Sequence, residues 1–120
     1  MSDFVNRWAA FWSAPDPDRV HTLAAPGIVL RYPGQAEPIR GIEAWKARVA
    51  SVVERFPDVR LEITHHATSG DLCFISWRAT ATSEGTPISW EGIDRMLLKD
   101  GVVVDSMVAF DPAGPRPRAA

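Results

Sequence analysis

Apart from one short strand near residue 30, apolar positions in this chain keep a helical spacing up to residue 56 and alternate from residue 60 onward. Phe4, Val5, Trp8, Phe11 and Trp12 recur at i, i+1, i+4, i+7 and i+8, which is the buried stripe of an amphipathic helix over residues 4–14. Ala14-Pro15-Asp16-Pro17-Asp18 interrupts that stripe and restarts a second helix. Asp16 would be its N-cap, Pro17 its first residue, and Val20, Leu23 and Ala24 its inner face, with Pro26-Gly27 ending it. Ile28 to Tyr32 reads as a short strand, followed by a loop that Pro33-Gly34, Pro38 and Gly41 keep irregular. Trp45, Val49, Val52, Val53 and Phe56 predict a third helix over residues 43–56, stopped by Pro57.

The remainder is β. Strands are predicted over residues 60–68, 72–82, 88–98 and 102–110, with hairpin signals at Ser69-Gly70-Asp71 and Lys99-Asp100-Gly101. Residues 112–120 form a Pro-rich tail expected to be disordered, which leaves residues 1–111 as one domain. This order predicts an α+β fold in which a curved, mainly antiparallel sheet wraps three N-terminal helices as a cone. Where the helices do not fill the wide end, a blind apolar pocket remains, a common place for a small ligand.

Composition narrows the classes. A chain of 120 residues with 46% hydrophobic residues can bury a core without disulfides or a structural metal, and a second domain does not fit. A net charge of −2 offers no basic stripe for nucleic acid, and no apolar run approaches the roughly 20 residues of a membrane span. The start Met1-Ser2-Asp3-Phe4 lacks the features of a signal peptide, and the single cysteine, Cys73, permits no intrachain bridge, so the expected compartment is the cytoplasm. The three histidines show no metal-ligand spacing, and no cofactor is expected. Five tryptophans are the composition's oddity, and they point to an aromatic core or an aromatic-lined pocket.

Asp94 is the principal candidate for chemistry. Strand alternation places it with Ile88, Trp90, Gly92, Met96 and Leu98, the one carboxyl on an apolar face. Burial there disfavours the charged form and raises the pKa toward the range used in acid/base catalysis. The competing reading is a structural Asp94 paired with Arg78 or Arg31.

Four stretches in this order resemble the NTF2-like superfamily, in its SnoaL-like polyketide cyclase and ketosteroid isomerase branch. They are the aromatic first helix, Tyr32-Pro33-Gly34 with Arg40-Gly41, the Gly70-Asp71 hairpin, and Trp90-Glu91-Gly92-Ile93-Asp94-Arg95 running on through Asp100-Gly101 to Phe110-Asp111. The resemblance implies the cone fold and an acid/base role for Asp94, the position at which the isomerases keep a protonated aspartate against an oxyanion. It also implies that the isomerase base position is held by Tyr32 and the oxyanion-hole tyrosine position by Trp8. True ketosteroid isomerase activity is thereby disfavoured, because a phenol with a pKa near 10 is a poor base at neutral pH.

For the strand 72–82 the two lines of reasoning disagree. Apolarity turns Cys73, Ile75, Trp77 and Ala79 inward, whereas the resemblance turns Phe74, Ser76, Arg78 and Thr80 into the cone. The second arrangement is preferred here, with a homodimer interface covering Ile75 and Trp77. On that basis His65, on the side of Phe74 and Ser76, is the second catalytic candidate beside Asp94, since an odd-length turn or a bulge is needed to exchange it with His66. The resemblance places Val104, Ser106, Val108 and Phe110 in the pocket. The candidate ligand-binding set is therefore Trp8, Tyr32, Ser76, Arg78, Trp90, Ser106 and Phe110, with Trp12 and Trp45 assigned to the helix–sheet core. The function expected is binding of a small apolar carbonyl-bearing molecule, with cofactor-free cyclase, isomerase or dehydratase chemistry at Asp94. The alternative is a non-catalytic ligand-binding or dimerisation protein of the same fold.

Overall fold

Helix α1 (Asp3–Ser13) buries Phe4, Val5, Trp8 and Phe11, as its apolar stripe requires. The computed structural model describes residues 3–110 and 116–117. The second helical segment is a six-residue 3₁₀ helix (Pro17–Thr22), opened by Asp16, whose carboxylate accepts from the Asp18 amide. Strand β1 (Ala24–Arg31) follows at once, so Ala24 begins a strand and Pro26-Gly27 interrupts its ladder instead of ending a helix. Proline has no N–H to donate, and the register against β6 shifts between Ala24 and Val29. The two-residue β2 (Ile39–Arg40) pairs back on β1, and α2 (Ile42–Arg55) ends just before Pro57.

Strands β3 (Arg60–Ser69), β4 (Leu72–Ser83), β5 (Thr86–Lys99) and β6 (Val102–Phe110) form an antiparallel run, and β1 joins β6 in parallel. The order is β2-β1-β6-β5-β4-β3, a curved, unclosed mixed sheet around the helices. At the β5–β6 hairpin Asp100 and Gly101 both take positive φ, 53° and 82°, the backbone that a tight two-residue turn between twisted strands demands. Of the tail 112–120, Arg116–Pro117 (β7) pairs with Ile88 and Ser89 of β5; the rest of the tail lies outside the described residues.

Strand β4 decides the orientation left open by the sequence. Cys73, Ile75, Trp77, Ala79 and Ala81 are buried on the inner face, while Arg78 lies outside and is exposed. The resemblance-based facing, with Phe74, Ser76, Arg78 and Thr80 in the cone, is therefore corrected, because a strand packed against helices must turn its apolar set inward. Ile75 is fully buried and Trp77 is 4% exposed, so neither belongs to a dimer interface on the outer face.

Two bulges reset the alternation. In β3 the register shifts between Ile63 and His65, which puts Ile63 opposite Trp77 but His65 opposite Ser76. In β6, Asp105 faces Leu97 and Val103 faces Leu98, so Val104 is the extra residue and Val103, not Val104, is buried.

Candidate functional site

Between the concave face of the sheet and the helices lies a cavity of about 280 Å³, close to the lower end of the range of small-molecule sites. Its wall is overwhelmingly aromatic and aliphatic, and it includes all five tryptophans. Trp8 and Trp12 come from α1, Trp45 from α2, and Trp77 and Trp90 from the sheet. Trp12 and Trp45 were expected in the helix–sheet core and Trp77 on the outer face. Trp12 and Trp45 each pack on Phe11 while also bordering the cavity.

Asp94 stands in this wall on β5. Opposite β5 on β4, Trp77 packs against Gly92, where a Cβ would fall 2.4 Å from the ring carbon Cζ2 and 2.8 Å from the Ala109 carbonyl oxygen. Only glycine admits the indole there. The ring thereby reaches along the strand, and its Nε1 donates to Asp94 Oδ1 at 3.0 Å. The indole of Trp8 is a second hydrogen-bonding neighbour of the same carboxylate. Burial pushes the Asp94 pKa up from 3.8 to about 6, and these two hydrogen bonds, Trp77 before Trp8, restrain the rise by favouring the charged form. The same burial, with the Asp94 charge adding to it, raises the thiol of Cys73.

The salt bridges that would have made Asp94 structural are made elsewhere. Arg78 binds Glu91 at 3.0 Å, and Arg31 binds Asp105 at 2.7 Å, both on exposed surface.

Tyr32, just past the end of β1, is the second titratable group of the wall. Burial, with the Asp94 charge adding to it, raises its pKa from 10.0 to about 12, and Arg48 and a hydrogen bond with Trp45 oppose that rise. The Arg48 guanidinium carbon sits 4.5 Å from the Tyr32 ring centroid.

Of the residues singled out from the sequence, Asp94, Trp8, Tyr32, Trp90, Ser106 and Phe110 line the cavity together. Ser76, Arg78 and His65 do not. Ser76 and Arg78 point to the outer face of β4, and His65, opposite Ser76 as the hairpin turn predicts, is exposed on that same outer side. His65 therefore has no contact with Asp94, and an acid/base pair between them is ruled out by the facing of the strands. His66, across from Ile75, is exposed as well. Val104 gives its place to Val103.

Trp77, Arg48 and Arg55 are among the wall residues that sequence reasoning missed. The signal for Trp77 was the run Cys73, Ile75, Trp77, Ala79 taken at face value. The two arginines follow the helical stripe of Trp45, Val49, Val52 and Phe56 along its edge, readable once arginine is counted as amphipathic.

Comparison with known proteins places this architecture. The wild-type IdmH of Streptomyces antibioticus superposes with a TM-score of 0.81 at 21% identity, covering 92% of this chain and 91% of that one. A protein of Acidithiobacillus ferrooxidans, named as a polyketide cyclase, gives 0.81 at 22% identity over 94% and 93%. A protein of Catenulispora acidiphila with a ketosteroid isomerase-like fold, solved with trimethylamine, gives 0.81 at 18% over 93% and 88%. At such identities the likeness shows the fold, which is NTF2-like. A search of the curated proteins found no match. The model of the SnoaL-like domain matches residues 5–106, nearly the whole described cone with Asp94 inside it, and the chain belongs to the SnoaL-like family.

Proposed function

We propose that the protein is a cofactor-independent acid/base enzyme that moves a proton on a small, largely apolar carbonyl compound, with Asp94 as the proton carrier. The observation that carries this reading is a carboxyl in the wall of an apolar cavity, hydrogen-bonded to an indole and without an arginine ion pair among the described residues. A pKa of about 6 keeps both protonation states populated near neutrality. The carboxylate takes the proton from the carbon next to the carbonyl, the carbonyl becomes an enolate, and the protonated Asp94 returns the proton to carbon. Isomerisation, aldol-type cyclisation and dehydration all pass through that enolate.

Solvent-exchange NMR in D₂O tests the reading on a panel of mono- and bicyclic ketones and β-keto esters. Catalysed loss of the α-proton signal is expected, and Asp94→Asn should slow it by about 10²- to 10⁴-fold. Undiminished exchange in the variant removes Asp94 from the mechanism. The second reading, a non-catalytic binding protein, is favoured by Tyr32 at the isomerase base position, since its hydroxyl stays protonated. It predicts saturable ligand binding with no exchange above background.

No described helix is long and apolar enough to cross a membrane. We place it in the cytoplasm on the strength of its free, buried Cys73. We also propose a homodimer, now through the outer sheet face, where Ile93, Leu97 and Met107 are about 40% exposed. Light scattering that gives a monomer mass at micromolar concentration overturns it.

A further inference from the structure

We infer that Arg48 and Arg55 form an anion-reading rim on the cavity, so that its ligand is amphipathic, with an apolar body inside and a carboxylate or comparable anionic group held at α2. The inference rests on the reading that the cavity takes a small molecule.

Three observations support it. First, both arginines line the cavity, half-buried at Arg48 and exposed at Arg55. They lie on the edge of the same α2 stripe, seven residues or about 10 Å apart along the axis. Second, each guanidinium lies over an aromatic ring. Arg48 lies over Tyr32 at 4.5 Å, and Arg55 lies over Phe56 at 4.9 Å from the centroid. Contact with the ring restrains the group, and neither guanidinium spends an N–H on a hydrogen bond among the described residues, so both keep the donors with which arginine grips a carboxylate. Third, neither has an ion pair among the described residues, and unlike Arg19, Arg40 and Arg95, which have none either, both stand at the cavity.

The rest of the wall argues for the same division of the ligand. Asp94 carries the wall's negative charge on β5, opposite the helical side, so an anionic group is repelled there and attracted at α2. With a net charge of −2, the molecule as a whole does not draw anions; any preference must come from this local pair.

Two dyes with one ring system separate the rim from the cavity. N-phenyl-1-naphthylamine is neutral, and 1-anilinonaphthalene-8-sulfonate carries an anionic group on the same framework. In fluorescence titrations of the full chain at low salt, the sulfonate should bind about tenfold more tightly, and 0.5 M NaCl should erase most of the difference. Arg48→Gln/Arg55→Gln should lose that preference while the neutral dye changes less than about twofold. The double Lys variant should keep part of it. Because Arg55 is exposed, R55Q alone serves as a variant that folds, with a loss of about threefold for the sulfonate only.

Equal weakening of both dyes in a variant with unchanged near-UV circular dichroism assigns the arginines to packing and overturns the rim. So does a wild type that binds the neutral dye without preferring the sulfonate. A wild type that binds neither dye removes the cavity reading and the rim with it.

Discussion

Asp94 and Tyr32 share one cavity, and burial disfavours ionisation of both, yet the outcomes are opposite in use. The carboxyl starts at 3.8 and rises to about 6, which brings its titration into the neutral range. The phenol starts at 10.0 and rises to about 12, which takes its titration out of reach. The same desolvation therefore leaves one group titrating near neutrality and the other a hydroxyl that keeps its proton. The neighbours sharpen the contrast: Asp94 faces indole donors that partly support its charge, whereas Tyr32 has the Asp94 charge working against its own ionisation. The polar chemistry of the cavity depends less on which ionisable residues are present than on where each one's unperturbed pKa starts.

The largest effect should follow from removing the carboxylate. The folded protein holds the Asp94 proton to higher pH than the unfolded chain. Ionisation is thus a cost to the folded state that is absent below about pH 4, grows as pH rises toward 6, and is complete above it. A rise from 3.8 to about 6 corresponds to roughly 3 kcal/mol. Urea unfolding of Asp94→Asn against wild type should show a difference that moves in the variant's favour by about that amount between pH 4 and 7.5, alongside its loss of catalysis. A pH-independent difference would mean that Asp94 titrates normally and that its contrast with Tyr32 is empty.

Gly92→Ala attacks the same contrast through packing. The new methyl meets both the Trp77 ring and the Ala109 carbonyl, so the indole must leave its place over β5. A loss of about 1–3 kcal/mol in unfolding free energy is expected from overpacking. The Asp94 pKa should also move up as the Trp77 hydrogen bond is lost, measurable by carbon NMR of the aspartate carboxyls. Trp77→Phe isolates that second effect by deleting the donor and keeping most of the ring. It should raise the Asp94 pKa, and Trp8→Phe should raise it less, because the Trp77 bond is the stronger restraint. Equal upward shifts would overturn the ranking of the two bonds, and no shift or a shift downward would show that the indoles do not stabilise the carboxylate.

Much of the cone was legible because its elements bury one side only. The stripe of Phe4, Val5, Trp8 and Phe11 and the alternation around Asp94 each record a single buried face, and periodicity reads such faces directly. Strand β4 was legible too, through Cys73, Ile75, Trp77 and Ala79, and was lost only when the resemblance was allowed to overrule it. The bulges were a different matter. One inserted residue at Val104, or the slip beside His65, exchanges the faces of a strand without changing its composition, so no count of apolar residues reveals it. Pro26-Gly27 misled for a related reason. The pair stops a helix and interrupts a strand equally well, and only the register of β1 against β6 tells which.

The smallest effect tests the other side of the contrast. Tyr32→Phe removes a hydroxyl that stays protonated throughout the working range, so the shape of the pH–rate profile between pH 5 and 9 should be that of wild type, its acid limb still set by Asp94 near 6. What should change is height. Loss of one neutral hydrogen bond, here with Trp45, costs about 0.5–1.5 kcal/mol, a factor of a few to about tenfold in binding or rate. The Asp94 limb itself should stay within a few tenths of its position, because a neutral phenol and a phenyl ring differ little in the field they impose. A new limb in the variant, or the disappearance of an alkaline limb present in wild type, would show that Tyr32 does titrate in function, and the two groups would then have to be treated as a coupled pair.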